Sequence, residues 1–255
     1  MTPYERVWAR MAGKPVDKVP NLNIAMALVA KCAGVSYREY AQNYKKLVEG
    51  NLYCMEHFGF DAVSAISDPM RETASFGATI TFPEDAVPHS TPALLQKDCD
   101  LSKLKIVSPY DNDRTLDRIR AVELFREKVG GEIPIIGWVE GVLAECADLR
   151  GVTELMYDLA EDEEYLPELM EIVHDRQKAF AKAQVDAGDD IIGVGNAVAS
   201  LIGPSLYEEY AMDYDKKIVE YIHSLGAKVK LHISGSITPL LPLLREFGPD
   251  ILDID

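Results

Sequence analysis

Short apolar runs alternating with longer stretches of helical spacing constrain this chain more than any other feature. The runs are Asp61 to Ser67, Ile133 to Trp138, Asp190 to Gly195, Val229 to Ile233 and Asp250 to Ile254. Each is apolar almost throughout, as strands of a parallel sheet must be when helices cover both faces. Between them, Leu166, Leu169, Met170 and Val173 keep i, i+3, i+4, i+7 spacing after Asp162, and Gly188 closes that stretch. Pro167 is tolerable there only in the first turn. Ser205 with Glu208 reads as a capping box after Pro204, with Gly226 as the stop. Thr238-Pro239 opens a further helix that Gly248-Pro249 ends. Strand, helix, strand is the order of βα units. The stretch from about Pro69 to Asp111 interrupts it and reads as a loop-rich insertion over one end of the sheet.

Without a low-complexity linker or a composition shift, residues 1–255 read as a single α/β domain. The 26 Lys+Arg against 42 Asp+Glu leave a net charge of −16, which repels phosphate backbones and anionic lipid surfaces. Nucleic acid and membrane are therefore not expected partners. Cys32, Cys54, Cys99 and Cys146 form no paired motif, which suits a reducing compartment. With no apolar leader and no spanning-length segment, the expected location is the cytoplasm. The run Glu161 to Glu164 reads as a helical first turn that complements the dipole. Tyr207, Tyr210, Tyr214 and Tyr221 read as a packing stripe.

Parallel βα folds build their sites at the carboxyl ends of the strands, so the polar residues there are the candidates. They are Asp68, Glu140, Asn196, His232 with Ser234, and Asp253 with Asp255. His57, His89, His174 and His223 lie in helical or loop patterns, where surface or packing roles are the default. His232 alone ends a strand; a structural hydrogen bond is the competing reading, and the following Gly235 tilts the balance towards a site. Residues two apart share a strand face, so His232 and Ser234 converge. A His-x-Cys pair would be a zinc half-site, but a neutral serine hydroxyl is a poor substitute for thiolate. Zinc would then need carboxylates such as Asp253 or Asp255.

The segment Gly226 to Ser236, with Lys230-Leu231-His232-Ile233-Ser234-Gly235 at its centre, followed by Asp250-Ile251-Leu252-Asp253, resembles the uroporphyrinogen decarboxylase-like superfamily. So do Phe58-Gly59-Phe60-Asp61-Ala62 with Asp68, Phe76-Gly77-Ala78 with Phe82 to Asp85, and Ala187 to Asp190 leading to Ser200, Gly203 and Pro204. The resemblance implies a (β/α)₈ TIM-like barrel of which this chain covers roughly the first five strands, the C-terminal units lying beyond Asp255. An open barrel exposes strand edges, so a partner surface or a homo-oligomer is expected.

Two activities come with the resemblance. One is methyl transfer from a corrinoid protein to a small thiol or pterin acceptor, with zinc in the thiol-methylating members. The other is cofactor-free decarboxylation of a porphyrinogen. The decarboxylases carry an arginine-rich N-terminal segment where this chain has Val19 to Met26 without arginine, and Asp148 stands where they have a tyrosine. Gly34 to Tyr40 is similar to the methyltransferase side. The leading expectation is therefore corrinoid-dependent methyl transfer, with decarboxylation and non-catalytic corrinoid-protein binding as alternatives. Strand-end position and resemblance together give Asp68, His232 and Glu140 as expected catalytic residues, Asn196, Ser200, Ser234 and Asp253 as expected substrate-binding residues, and His232 with Asp255 as the expected ligands of any metal.

Overall fold

A computed structural model of the chain describes residues 1–96 and 99–254. The N-terminal part is helical: α1 (Pro3–Met11), α2 (Met26–Cys32), α3 (Tyr37–Gln42) and α4 (Tyr44–Phe58) precede the first strand, β1 (Val63–Ser64). The short α5 (Met70–Ser75) follows, and then an antiparallel pair, β2 (Ile80–Thr81) and β3 (His89–Ser90). From α6 (Asp113–Val129) onward, strands alternate with helices. These are β4 (Ile135–Glu140), α7 (Val142–Arg150), α8 (Val152–Glu161), α9 (Leu166–Ala187), β5 (Ile191–Gly195), α10 (Ala199–Leu206), α11 (Met212–Ser224), β6 (Lys228–Ile233), α12 (Leu241–Leu244) and β7 (Ile251–Ile254). Among the described residues the main sheet is parallel and ordered β1-β4-β5-β6-β7, the sequential order of a (β/α) barrel wall.

The apolar runs explain the sheet. Every residue of β4 and β5 is buried, which only a strand covered on both faces can manage. Helices α4, α6, α9 and α11 pack on the sheet. Trp138 of β4 lies with its indole across β5 because Gly193 and Gly195 have no side chains there. A Cβ at Gly193 would fall 2.1 Å from the ring and one at Gly195 2.9 Å from the indole nitrogen. Two glycines spaced two apart thus make room for one aromatic residue.

Several local expectations change. β1 pairs over two residues rather than across Asp61 to Ser67, because the Asp61 carboxylate is engaged by Arg6 (2.6 Å) and the Asn21 N–H (2.8 Å). Glu161 to Glu164 form no first helical turn. Asp162 adopts φ 52° and ends α8, accepting a hydrogen bond from Tyr210, and the first turn of α9 holds Pro167 and Glu168 instead. No capping box starts at Ser205: Gly203 (φ 72°) breaks the helix, Pro204 begins the next turn, and Ser205 sits inside the run that continues into a π-turn at Tyr207–Ala211. A π-turn of this kind commonly marks a functional region. The insertion is also more ordered than a loop. Arg38 holds its hairpin through Phe82 O (2.7 Å), and the Leu95 N–H binds Leu149 O on α7 (2.8 Å).

A Gly193→Ala substitution forces Trp138 off its seat. It should cost about 1–3 kcal/mol in urea unfolding and alter the near-ultraviolet circular dichroism of the tryptophans; unchanged stability would contradict this packing.

Candidate active site at the strand carboxyl ends

The carboxyl ends of β4, β5 and β6 open on a cavity of about 140 Å³. Trp138 forms part of its wall, Ile24 and Met26 close another side, and Asp68, Glu140, His232 and Ser234 supply its polar groups. A larger space of about 660 Å³ adjoins it, sharing Ile24 and Met26, but Tyr37 is the one titratable group on its wall. The chemistry therefore belongs to the smaller cavity, where the titratable groups converge.

Asp68 is 1% exposed and fully bonded. It accepts from Ser67 Oγ (2.6 Å), from the Met70 N–H that begins α5 (3.0 Å) and from Arg114 Nη2 (2.5 Å). Burial alone would raise its pKa, but the Arg114 and Arg71 guanidinium groups outweigh that and hold it below the ordinary value. The backbone that carries Asp68 is clamped by α3, where Tyr37 and Tyr40 donate to Ser67 O (2.5 Å) and Ile66 O (2.9 Å).

Glu140 ends β4. Its Oε1 accepts from Arg71 Nη2 (2.5 Å), while its N–H donates to Glu72 Oε1 (2.9 Å) and its carbonyl accepts from Gln177 (2.9 Å). Behind it, Glu145 accepts from Thr73 (2.9 Å), and Asp148 lies part-buried on the same helix. The Asp148 carboxyl is pushed up to about 7: burial raises it most, neighbouring Glu72 and Asp68 add to that, and Arg71 opposes them.

His232 faces Ser234 through Nε2 (3.0 Å to Oγ) and Asp253 through Nδ1 (3.3 Å to Oδ2), the latter close enough to pair with a protonated ring but not aligned as a hydrogen bond. The same Asp253 oxygen meets Lys230 Nζ at 2.9 Å, and that ammonium also donates to Leu22 O (2.7 Å). Burial lowers the Lys230 pKa, with Asp253 opposing. Burial would raise Asp253, yet His232 and Lys230 hold it below the ordinary carboxylate value.

Asp68, Glu140, His232 and Ser234 are thus brought together, and Asp253 stands behind His232. Asn196 does not line the cavity: it is fully buried, its Nδ2 on Asp215 Oδ2 (2.7 Å), which also accepts from Tyr207 (2.7 Å). Ser200 instead abuts the backbone at Gly235, where a Cβ would come within 2.9 Å of its Oγ. Asp255 lies outside the described residues. The donor set does not fit zinc. His232 Nε2 faces a neutral hydroxyl where a thiolate would be needed, Asp253 is tied to Lys230, and among the described residues no cluster of three His, Cys, Asp or Glu side chains could hold a metal.

Arg71, Glu72, Arg114, Glu145 and Trp138 were not anticipated as part of the site, and Lys230, inside the expected strand-end segment, was given no role. Lys230 had a signal, since it precedes His232 by two and so shares its strand face. Trp138 opposite Gly193-x-Gly195 had another.

The family model for uroporphyrinogen decarboxylase (URO-D) matches residues 2–255. The chain belongs to that family. It is 30% identical to the methylcobamide:CoM methyltransferase MtbA of Methanosarcina mazei, over 100% of this chain and 76% of that protein. It is 24% identical to the uroporphyrinogen decarboxylase of Trichlorobacter lovleyi, over 95% of this chain and 73% of that protein. A solved structure of a methyltransferase from Methanosarcina mazei superposes with a TM-score of 0.87 at 25% identity, covering 99% of this chain and 75% of that one. The sheet is accordingly a half-barrel of the TIM-like URO-D fold, and the chain is an enzyme of this superfamily, nearer its methyltransferase branch. No described helix is long and apolar enough to cross a membrane.

The buried acids of this URO-D family member make its stability depend on pH. Between pH 4 and 7 the folded state keeps a proton on Asp148 that the unfolded chain releases, so stability falls as pH rises through that window, by up to about 1.4 kcal/mol per unit for one group. Urea unfolding should show higher stability at pH 5 than at pH 7, with a shallower dependence in Asp148→Asn. An unchanged slope in the variant would contradict the placement.

Proposed function

We propose that this protein moves a methyl group from a corrinoid, presented by a partner protein, to a small acceptor of the thiol or pterin class seated beside His232. The observation that carries this reading is the cavity wall, which holds Asp68, Glu140 and His232 and no lysine or arginine. A porphyrinogen rich in carboxylates needs cations. The arginines near this wall, Arg71 and Arg114, are buried on Glu140 and Asp68, and Arg6 is bound to Asp17 and Asp61. Asp68, with its partners all engaged, is poorly placed to stabilise a protonated pyrrole. The methylcobamide:CoM methyltransferases among the relatives support the same choice.

In this reading the acceptor's lone pair forms the new bond to the methyl carbon while the cobalt–carbon electron pair stays with the corrinoid. The acceptor's proton passes to His232, whose imidazolium Asp253 stabilises from the Nδ1 side. Lys230 fixes Asp253, and Trp138 with Ile24 and Met26 keeps water from the reacting atoms.

Methylcobalamin demethylation, followed by absorbance in the presence of a thiol or a reduced pterin, tests the reading. His232→Ala should lower kcat about 10²–10⁴-fold, and a zinc chelator should leave the wild-type rate unchanged. Equal turnover in the variant, or loss of activity with chelator, would overturn it.

A further inference from the structure

Packed helices are normally held about 8–10 Å apart, axis to axis, by the side chains between them. Where α2 crosses α4 one of those side chains is missing. A Cβ at Gly50 would stand 2.5 Å from Val29 O and 3.1 Å from the Ala33 Cβ, so the two backbones nearly touch. Cys54 lies one turn beyond Gly50 on the same face of α4, and Cys32 shares the face of α2 that carries Val29 and Ala33. Both thiols are free, and Cys54, fully buried in this seam, has Cys32 as its neighbour. Cys32 is half-buried, so it is the one of the two that solvent reaches. The position of α2 matters to the active site. It is seven residues long and begins without a side-chain cap. Its first residue, Met26, closes one side of the cavity with Ile24, and the Tyr37 hydroxyl meets the Met26 Sδ at 3.6 Å. A helix this short does not stand alone in water, so its place depends on packing against α4.

We propose that Cys32 and Cys54 form a reversible redox site whose disulfide pins α2, and with it the Met26 wall of the cavity, onto α4. The oxidant is a peroxide. The Cys32 sulfur attacks one oxygen of hydrogen peroxide, the O–O bond breaks, and Cys32 becomes a sulfenic acid while the other oxygen leaves as water. The Cys54 sulfur then bonds to the Cys32 sulfur, the S–O bond breaks, and the departing hydroxyl takes the Cys54 proton as a second water. Two thiols thus give up two electrons, and the peroxide is reduced to two waters. The order follows from access. Burial raises the Cys54 thiol to about 12, with Cys32 adding to that, so Cys54 resolves the sulfenic acid and does not start the reaction. Cys99, also half-buried, lies in the insertion beside Tyr165, and Cys146 is buried on α7, so Cys99 serves as the internal comparison.

This site does not depend on the methyl-transfer reading, and its test needs no turnover. After treatment with hydrogen peroxide, alkylation and digestion, mass spectrometry of the chain should show a Cys32–Cys54 crosslinked peptide that dithiothreitol removes. Cys32→Ser should show none. The variant is made at Cys32 because a hydroxyl at the fully buried Cys54 would itself cost stability. Hydrogen exchange at the α2 amides should slow about tenfold or more in the oxidised protein and recover on reduction. Sulfinic acid on Cys32 with Cys54 still a thiol, or a crosslink from Cys32 to Cys99, would overturn the pairing. A Cys32–Cys54 crosslink that leaves α2 exchange unchanged would overturn the pinning of the cavity wall.

Discussion

One oxygen of Asp253 is shared by the ammonium of Lys230 and the imidazole of His232, and much of the site depends on that sharing. Lys230 is 2% exposed, so its charge is tolerable only with a partner. Because the partner is on β7, the pair fastens β7 to β6. The same ammonium caps Leu22 O, which fixes the segment whose Ile24 and Met26 close the cavity. Losing the lysine would therefore disturb a strand, a wall and the orientation of the histidine together.

The opposite wall is built by different means. Asp68 and Glu140 are each held by an arginine from a neighbouring helix, and Trp138 settles between them and His232 because β5 has glycine at the two positions beneath it. Arg114 pairs directly with Asp68. Arg71 serves both Glu72 and Glu140, whereas the β6 side carries the Lys230–Asp253 pair.

The sequence revealed the sheet better than the site. Continuous apolar runs must be buried strands, so β4 to β7 fall within a residue or two of their expected bounds. β1 did not, because Asp61 looked like a strand residue and is an anchor for Arg6 and Asn21. Strand-end polarity pointed to Asp68, Glu140, His232 and Ser234, which line one cavity, and to Asp253, which stands behind His232. It could not separate Asn196, whose neighbour Gly195 faces the cavity while Asn196 itself turns to Asp215. The arginine-to-carboxyl pairing was hidden for a physical reason: Arg71 and Glu72 fall in the stretch that reads as a loop-rich insertion, and charged side chains are taken as solvated until burial is known.

The proposed role of His232 as proton acceptor rests on the Asp253 charge 3.3 Å from its Nδ1. Asp253→Asn keeps the shape of that side chain and removes its charge. Steady-state kinetics of methylcobalamin demethylation are predicted to show kcat lowered about 10²-fold or more, with KM nearly unchanged. A variant that stays folded and turns over at the wild-type kcat would contradict it.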